Sequence, residues 1–74
     1  MPRLGVFSGA EVCRILEAEG FRLVRQRGSH IIMQREQPAG ETTTVPVPNH
    51  RVVRIGTLLS IIRQSGVPKE KFLR

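Results

Sequence analysis

The sequence predicts an α+β domain: a three-stranded antiparallel sheet with helices packed on one face, in the order α-β-β-β-α plus a short C-terminal helix. Three observations predict it. Apolar residues recur at helical spacing near the N-terminus and again between Ile55 and Ile62. Between those stretches, β-branched and apolar runs are separated by short breaks containing glycine or proline. The chain has 74 residues, which supports one domain over 1–74 with a single small core.

The first helix is expected over Gly9–Glu19. Ser8 suits the N-cap, Glu11 three residues later completes a capping box, and Gly20 suits a left-handed stop. Val12, Ile15 and Leu16 form its apolar stripe, with Cys13 beside them as a small core residue. The runs FRLVRQ and SHIIMQR, separated by a tight turn at Arg27-Gly28, read as a β-hairpin. EQPAGE is a loop, because Pro38 and Gly40 both oppose strand continuation. TTTVPV is the third strand, and Pro46 places it at a sheet edge or ends its pairing early. A second helix begins near Gly56, with Ile55, Leu58, Leu59 and Ile62 expected as its buried face. Gly66 ends it, and Pro68 suits the first turn of a final short helix through Phe72. Phe7, Phe21 and Phe72 all fall where core residues are expected.

Charge narrows the function. Twelve Lys and Arg face six Asp and Glu, an excess of +6, and ten of the twelve are arginine. Such a surface attracts polyanions, and the planar guanidinium fork suits phosphate oxygens. A single cysteine allows no internal disulfide and no cysteine-rich metal site, which fits a reducing, cytoplasmic setting. No signal-like segment opens the chain, and no apolar run reaches the ~20 residues of a membrane span. With all three aromatics assigned to the core, RNA contact is expected through shape and phosphate more than through base stacking on aromatic rings.

Topology gathers the reactive groups. His30 opens the second strand and His50 follows the third, so an antiparallel pairing brings both to one sheet edge. Arg25 and Arg27 reach that edge from the hairpin, and Arg51 and Arg54 follow His50. RNA cleavage needs a base for the ribose 2′-OH, an acid for the leaving oxygen, and cations for charge growing on phosphorus oxygens. Two histidines among arginines can supply all three, and the requirement for a 2′-OH selects RNA over DNA. The start of the second helix, RIGTLL, adds backbone N–H groups, Arg54 and Thr57 as phosphate contacts, or merely begins the helix. On pattern alone His30 reads more simply as a polar residue beside a turn, and His50 as a loop residue. The face it points from is open, since Ile31 and Met33 mark one side of the strand and Ile32 the other.

Four segments, in order, resemble the HicA toxins (the YcfA-like family) of bacterial type II toxin–antitoxin systems. SGAEVCRILEAEGF is similar to that family's first helix with its Gly-Phe exit, and RGSH to its Gly-Ser-His turn. VPVPNH resembles the Val-Pro-x-His strand end, and RIGTLLSIIRQSGV the Gly-Thr-Leu helix with a basic residue and glycine at its finish. The resemblance implies a fold like a double-stranded-RNA-binding domain, which the predicted element order matches in outline. It also implies an mRNA interferase, that is, an endoribonuclease that blocks translation, with no metal or other cofactor and a HicB-type antitoxin as partner. His30 matches the family's catalytic position and His50 a frequent supporting one, and the Gly28-Ser29 pair before His30 is expected, with Arg25, Arg27, Arg51, Arg54 and Thr57, to contact RNA phosphate. Ile31-Ile32-Met33 stand where many relatives continue with a histidine or an aromatic, and Pro68 stands where Ser or Thr is more usual. The competing readings are a non-catalytic RNA-binding module and a docking domain for an acidic protein.

Overall fold

The computed structural model describes residues 3–74. The order is α1 (Gly9–Ala18), β1 (Arg22–Arg27), β2 (His30–Glu36), β3 (Thr42–Pro48), α2 (Ile55–Ser65) and a 3-10 turn (Lys69–Phe72). The three strands form one antiparallel sheet with β2 in the middle. This is the expected α+β arrangement.

α1 begins as its sequence dictates. The Ser8 N–H donates to the Glu11 carboxylate at 2.9 Å, and the Glu11 N–H donates to the Ser8 hydroxyl oxygen at 3.1 Å. Val12, Cys13 and Leu16 turn into the core, where Ile31, Met33, Val45 and Val47 rise from the covered face of the sheet. Phe7 and Phe72 close one end of that core edge-to-face, with ring centroids 6.0 Å apart. The two ends of the chain are tied together. Leu4 and Leu73 form an isolated bridge, the Gly5 N–H donates to the Phe72 carbonyl at 2.8 Å, and the Arg74 N–H donates to the Arg3 carbonyl at 2.9 Å.

Three local expectations need correction. The hairpin turn is Gly28-Ser29, one residue later than expected, so that Arg27 pairs with His30 across it. Gly28 has φ +55 while Ser29 has no positive φ, the pattern of a type II′ turn, whose twist matches paired strands. The buried face of α2 is Leu58, Ile61 and Ser65, with Ile62 partly buried, whereas Ile55 is 57% and Leu59 42% exposed. The apolar residues of α2 span a broad arc, and the face that packs on β3 is rotated from the one the sequence favours. Pro68 occupies the cap position before the 3-10 turn and not its first residue. Elsewhere Gly66 adopts φ +72 as the left-handed end of α2, and Pro46 lies within β3, an outer strand that continues in register as far as Pro48.

Arg35 joins the ends of both helices. Its Nη1 donates to the Glu19 carbonyl at 2.8 Å and its Nη2 to the Ser65 carbonyl at 3.1 Å, while the guanidinium lies 4.6 Å from the Phe21 ring centroid. A cation between two helix C-termini meets the negative ends of both dipoles.

Candidate functional site

Pairing in the sheet decides which residues share a face. His30 stands opposite Pro48, Ile32 opposite Pro46 and Gln34 opposite Thr44, so these six lie on the face that α1 leaves uncovered. The Gln34 amide donates to the Thr44 hydroxyl at 3.2 Å across that face. His30 therefore points away from the core, which sequence alone left open. Ile32 is buried there too, yet stands outside the main core cluster. It is shielded by open-face neighbours.

β1 contributes arginines to this face through an irregularity. Arg22 pairs with Gln34 and Leu23 with Met33, but the next partner of Ile32 is Arg25. The register thus slips by one residue at Val24, a β-bulge. Strict alternation from Arg22 would bring Val24 and Gln26 to the open face. The bulge instead brings Arg25 opposite Ile32 and Arg27 opposite His30.

Two depressions meet at His30. A groove of about 470 Å³ runs between the open face and α2, lined by His30, Pro46, Pro48, His50, Arg54, Thr57, Ser60, Ile61 and Gln64. A shallower hollow of about 550 Å³ is lined by Arg27, Gly28, His30, Ile32 and Pro46. Neither contains a carboxylate. Both histidines are exposed, and His30 and Pro46 form the rim common to the two depressions.

The segment that carries His50 is held by backbone hydrogen bonds. The Asn49 N–H donates to the Ser29 carbonyl at 2.6 Å, the Gly9 N–H to the His50 carbonyl at 2.9 Å, and the Val53 N–H to the Phe7 carbonyl at 2.8 Å. The hairpin turn, the first amide of α1 and the chain entering α1 thus fix one loop. α2 then starts at Arg54 with no side-chain cap on its N-terminus, leaving N–H groups unsatisfied beside the groove.

The expected site residues divide clearly. His30, His50, Arg54 and Thr57 line the groove, and Arg27 and Gly28 line the hollow. Arg25 shares the open face without lining either depression, and Ser29 acts through its backbone carbonyl. Arg51 is exposed on the loop after His50 and lines neither depression. Sequence reasoning missed Pro46, Pro48, Ser60 and Gln64. The signal for the last two is their spacing, since Thr57, Ser60, Ile61 and Gln64 recur at i, i+3, i+4 and i+7.

The ion pairs among the described residues leave this surface free. They are Lys71 with Glu19 at 3.7 Å and Arg74 with Glu11 at 3.0 Å, so neither engages an arginine of the open face or of the His50 loop. Arg74 also lies 4.3 Å from the Phe7 ring centroid, which marks it, like Arg35, as a structural cation. The Glu11 carboxyl is held below its ordinary value, first by the Ser8 N–H and then by Arg74. Cys13 packs in the core, where burial, and secondarily Glu17, pushes its thiol up; it is remote in role from the histidines of the open side. No helix among the described residues is long and apolar enough to cross a membrane.

Comparison with known proteins identifies one family. No curated protein sequence matches the chain. The model of the family described as the HicA toxin of bacterial toxin–antitoxin systems matches residues 9–67, from the first residue of α1 to just beyond α2. That span includes the bulged strand, both histidines and the α2 wall of the groove, and the chain belongs to the HicA toxin family.

Proposed function

We propose that this toxin is a metal-independent endoribonuclease, an mRNA interferase acting in the cytoplasm, with His30 as its principal proton carrier. The observation that carries the reading is the groove in which His30 and His50 stand with Arg54 and the uncapped start of α2, without a carboxylate in the lining. One imidazole takes the proton from a ribose 2′-OH, whose oxygen attacks phosphorus and forms a 2′,3′-cyclic phosphate. The bond to the 5′ oxygen breaks, and the second proton carrier protonates that oxygen. Arg54 and the N–H groups near Thr57 face the phosphate oxygens as negative charge grows on them. Arg27, with Gly28, extends the cationic path to the far side of His30, and Arg25 and Arg51 add longer-range attraction. The lining offers imidazole, guanidinium, hydroxyl and amide groups, whereas magnesium sites are built on carboxylates.

The antitoxin partner of such a toxin has a natural target here. A HicB-type protein carrying acidic groups would lie over the open face and cover His30. A second reading, a non-catalytic RNA-binding module, is favoured by the spread of Arg22, Arg25 and Arg27 over the sheet beyond the groove.

The two separate on one comparison. Purified parent and His30→Ala proteins are given a long single-stranded RNA, and both binding and chain integrity are followed. The enzyme reading expects cleavage by the parent only, with binding retained by both. Intact RNA with the parent and equal binding by the variant would leave the binding module.

A further inference from the structure

The far end of the groove has a chemistry that phosphate binding does not use. Its floor is the proline pair Pro46 and Pro48, which stand on the open face opposite Ile32 and His30. Pro46 is exposed and Pro48 buried beneath the groove, and neither ring carries an N–H group. Its wall is the α2 row of Ser60, Ile61 and Gln64, which leads away from Arg54. At 1.5 Å of rise per residue, Ser60 lies about 9 Å and Gln64 about 15 Å along the helix from Arg54. Side-chain hydrogen bonds among the described residues engage neither Ser60 nor Gln64. The groove's volume of about 470 Å³ falls in the range of sites that hold small organic groups.

An apolar floor, free amide and hydroxyl groups, and a cation at one end match the three parts of a nucleotide. We infer that this end of the groove is a base-reading subsite. A base next to the cleaved phosphodiester rests against the exposed Pro46 ring, and its polar edge is bound by the Gln64 amide and the Ser60 hydroxyl. The amide carries both donors and an acceptor, so it discriminates among base edges. The three phenylalanines are buried and give no stacking platform, which leaves Pro46 as the exposed apolar lining beside His30. Specificity therefore resides on α2, while the proton carriers reside on β2 and the loop after β3. This inference rests on RNA being the substrate.

The test uses the full chain and an RNA library with five randomised central positions, in two forms. The cleavable form is ordinary RNA. The uncleavable form carries 2′-fluoro groups and reports base preference by sequencing the bound fraction. The parent is expected to favour one base over the least favoured by at least about five-fold at one position. Gln64→Ala is expected to flatten that preference to within about two-fold, and Ser60→Ala to reduce it partly. Gln64 is exposed and Ser60 half-buried on α2, and circular dichroism checks that the helix is retained. No base preference in the parent, or the parent's preference unchanged in Gln64→Ala, would overturn the subsite. Failure of the parent to cut the cleavable library would instead overturn the endonuclease reading, while the bound fraction still decides the subsite.

Discussion

The first amide of α1, that of Gly9, donates to the carbonyl of His50 at 2.9 Å, so a helix start on the covered side fixes a histidine on the open side. The approach is close enough that a Cβ on Gly9 would be driven into the Pro48 carbonyl oxygen. Gly9→Ala is expected to cost about 1–3 kcal/mol of stability through this overpacking. It is also expected to lower RNA cleavage beyond the unfolded fraction, because the His50 loop must shift. Denaturant titration alongside a cleavage assay at a temperature where both proteins are folded checks this.

His30→Ala is expected to reduce cleavage by about 10²–10⁴-fold, the range that one general acid or base contributes. Growth inhibition on expression should disappear with it. A stable fold is expected, since His30 is exposed and its backbone pairing with Pro48 is independent of the ring. Thermal melts that overlay those of the parent, together with RNA that stays intact, are the expected readings.

Two arginines of opposite character give a second contrast. Arg54→Ala removes an exposed groove cation and is expected to leave stability unchanged. The dependence of log affinity on log salt should become shallower by about 0.7, one phosphate contact to a single strand. Arg35→Ala removes two charge-assisted hydrogen bonds to helix-terminal carbonyls and is expected to cost about 2 kcal/mol, with little direct effect on RNA. Binding isotherms at several salt concentrations and urea melts of both variants separate the roles.

Acid should weaken the α1 cap. Glu11 has a folded-state pKa below its ordinary value of 4.5, because the Ser8 N–H and then Arg74 favour the carboxylate. A depressed folded pKa means stabilisation that is present above the unfolded value and lost as pH falls through the folded one. The stability difference between the parent and Glu11→Gln should therefore be full at neutral pH and shrink as pH falls below the ordinary value of 4.5. Thermal melts across that range check the sign.

Cys13 supplies a probe of the core. With its thiol pushed up first by burial and then by Glu17, it should resist iodoacetamide in the native protein and react readily in urea. Mass spectrometry of the alkylated chain reads this directly.

The sequence resolved much of this architecture because local signals agreed. Ser8 with Glu11 and Gly66 mark helix boundaries by a specific hydrogen-bonding or φ requirement and act where expected, while Gly28 marks the hairpin turn as its first central residue instead of its second. The pairing of His30 with Pro48 follows from antiparallel topology, which made the convergence with His50 readable. α2 was harder. Ile55, Leu58, Leu59, Ile61 and Ile62 offer more than one plausible stripe, and only packing against β3 selects Leu58 and Ile61. That choice is also what turns Ser60 and Gln64 toward the groove. The bulge at Val24 leaves no composition signal, since Val24 is an ordinary strand residue.

That bulge makes the charge of the site a matter of counting. A substitution at Arg25 or Arg27 removes one cation from the open face. Closing the bulge with Val24 kept would pair Val24 with Ile32, turn Arg25 toward the covered side and set Gln26 beside His30. Val24 is the residue held out of count, so a one-codon deletion of Val24 would leave Arg25 opposite Ile32 and Arg27 opposite His30 in unbroken alternation. The toxin's cationic face is thus written in the pairing of one strand as well as in the identity of its residues.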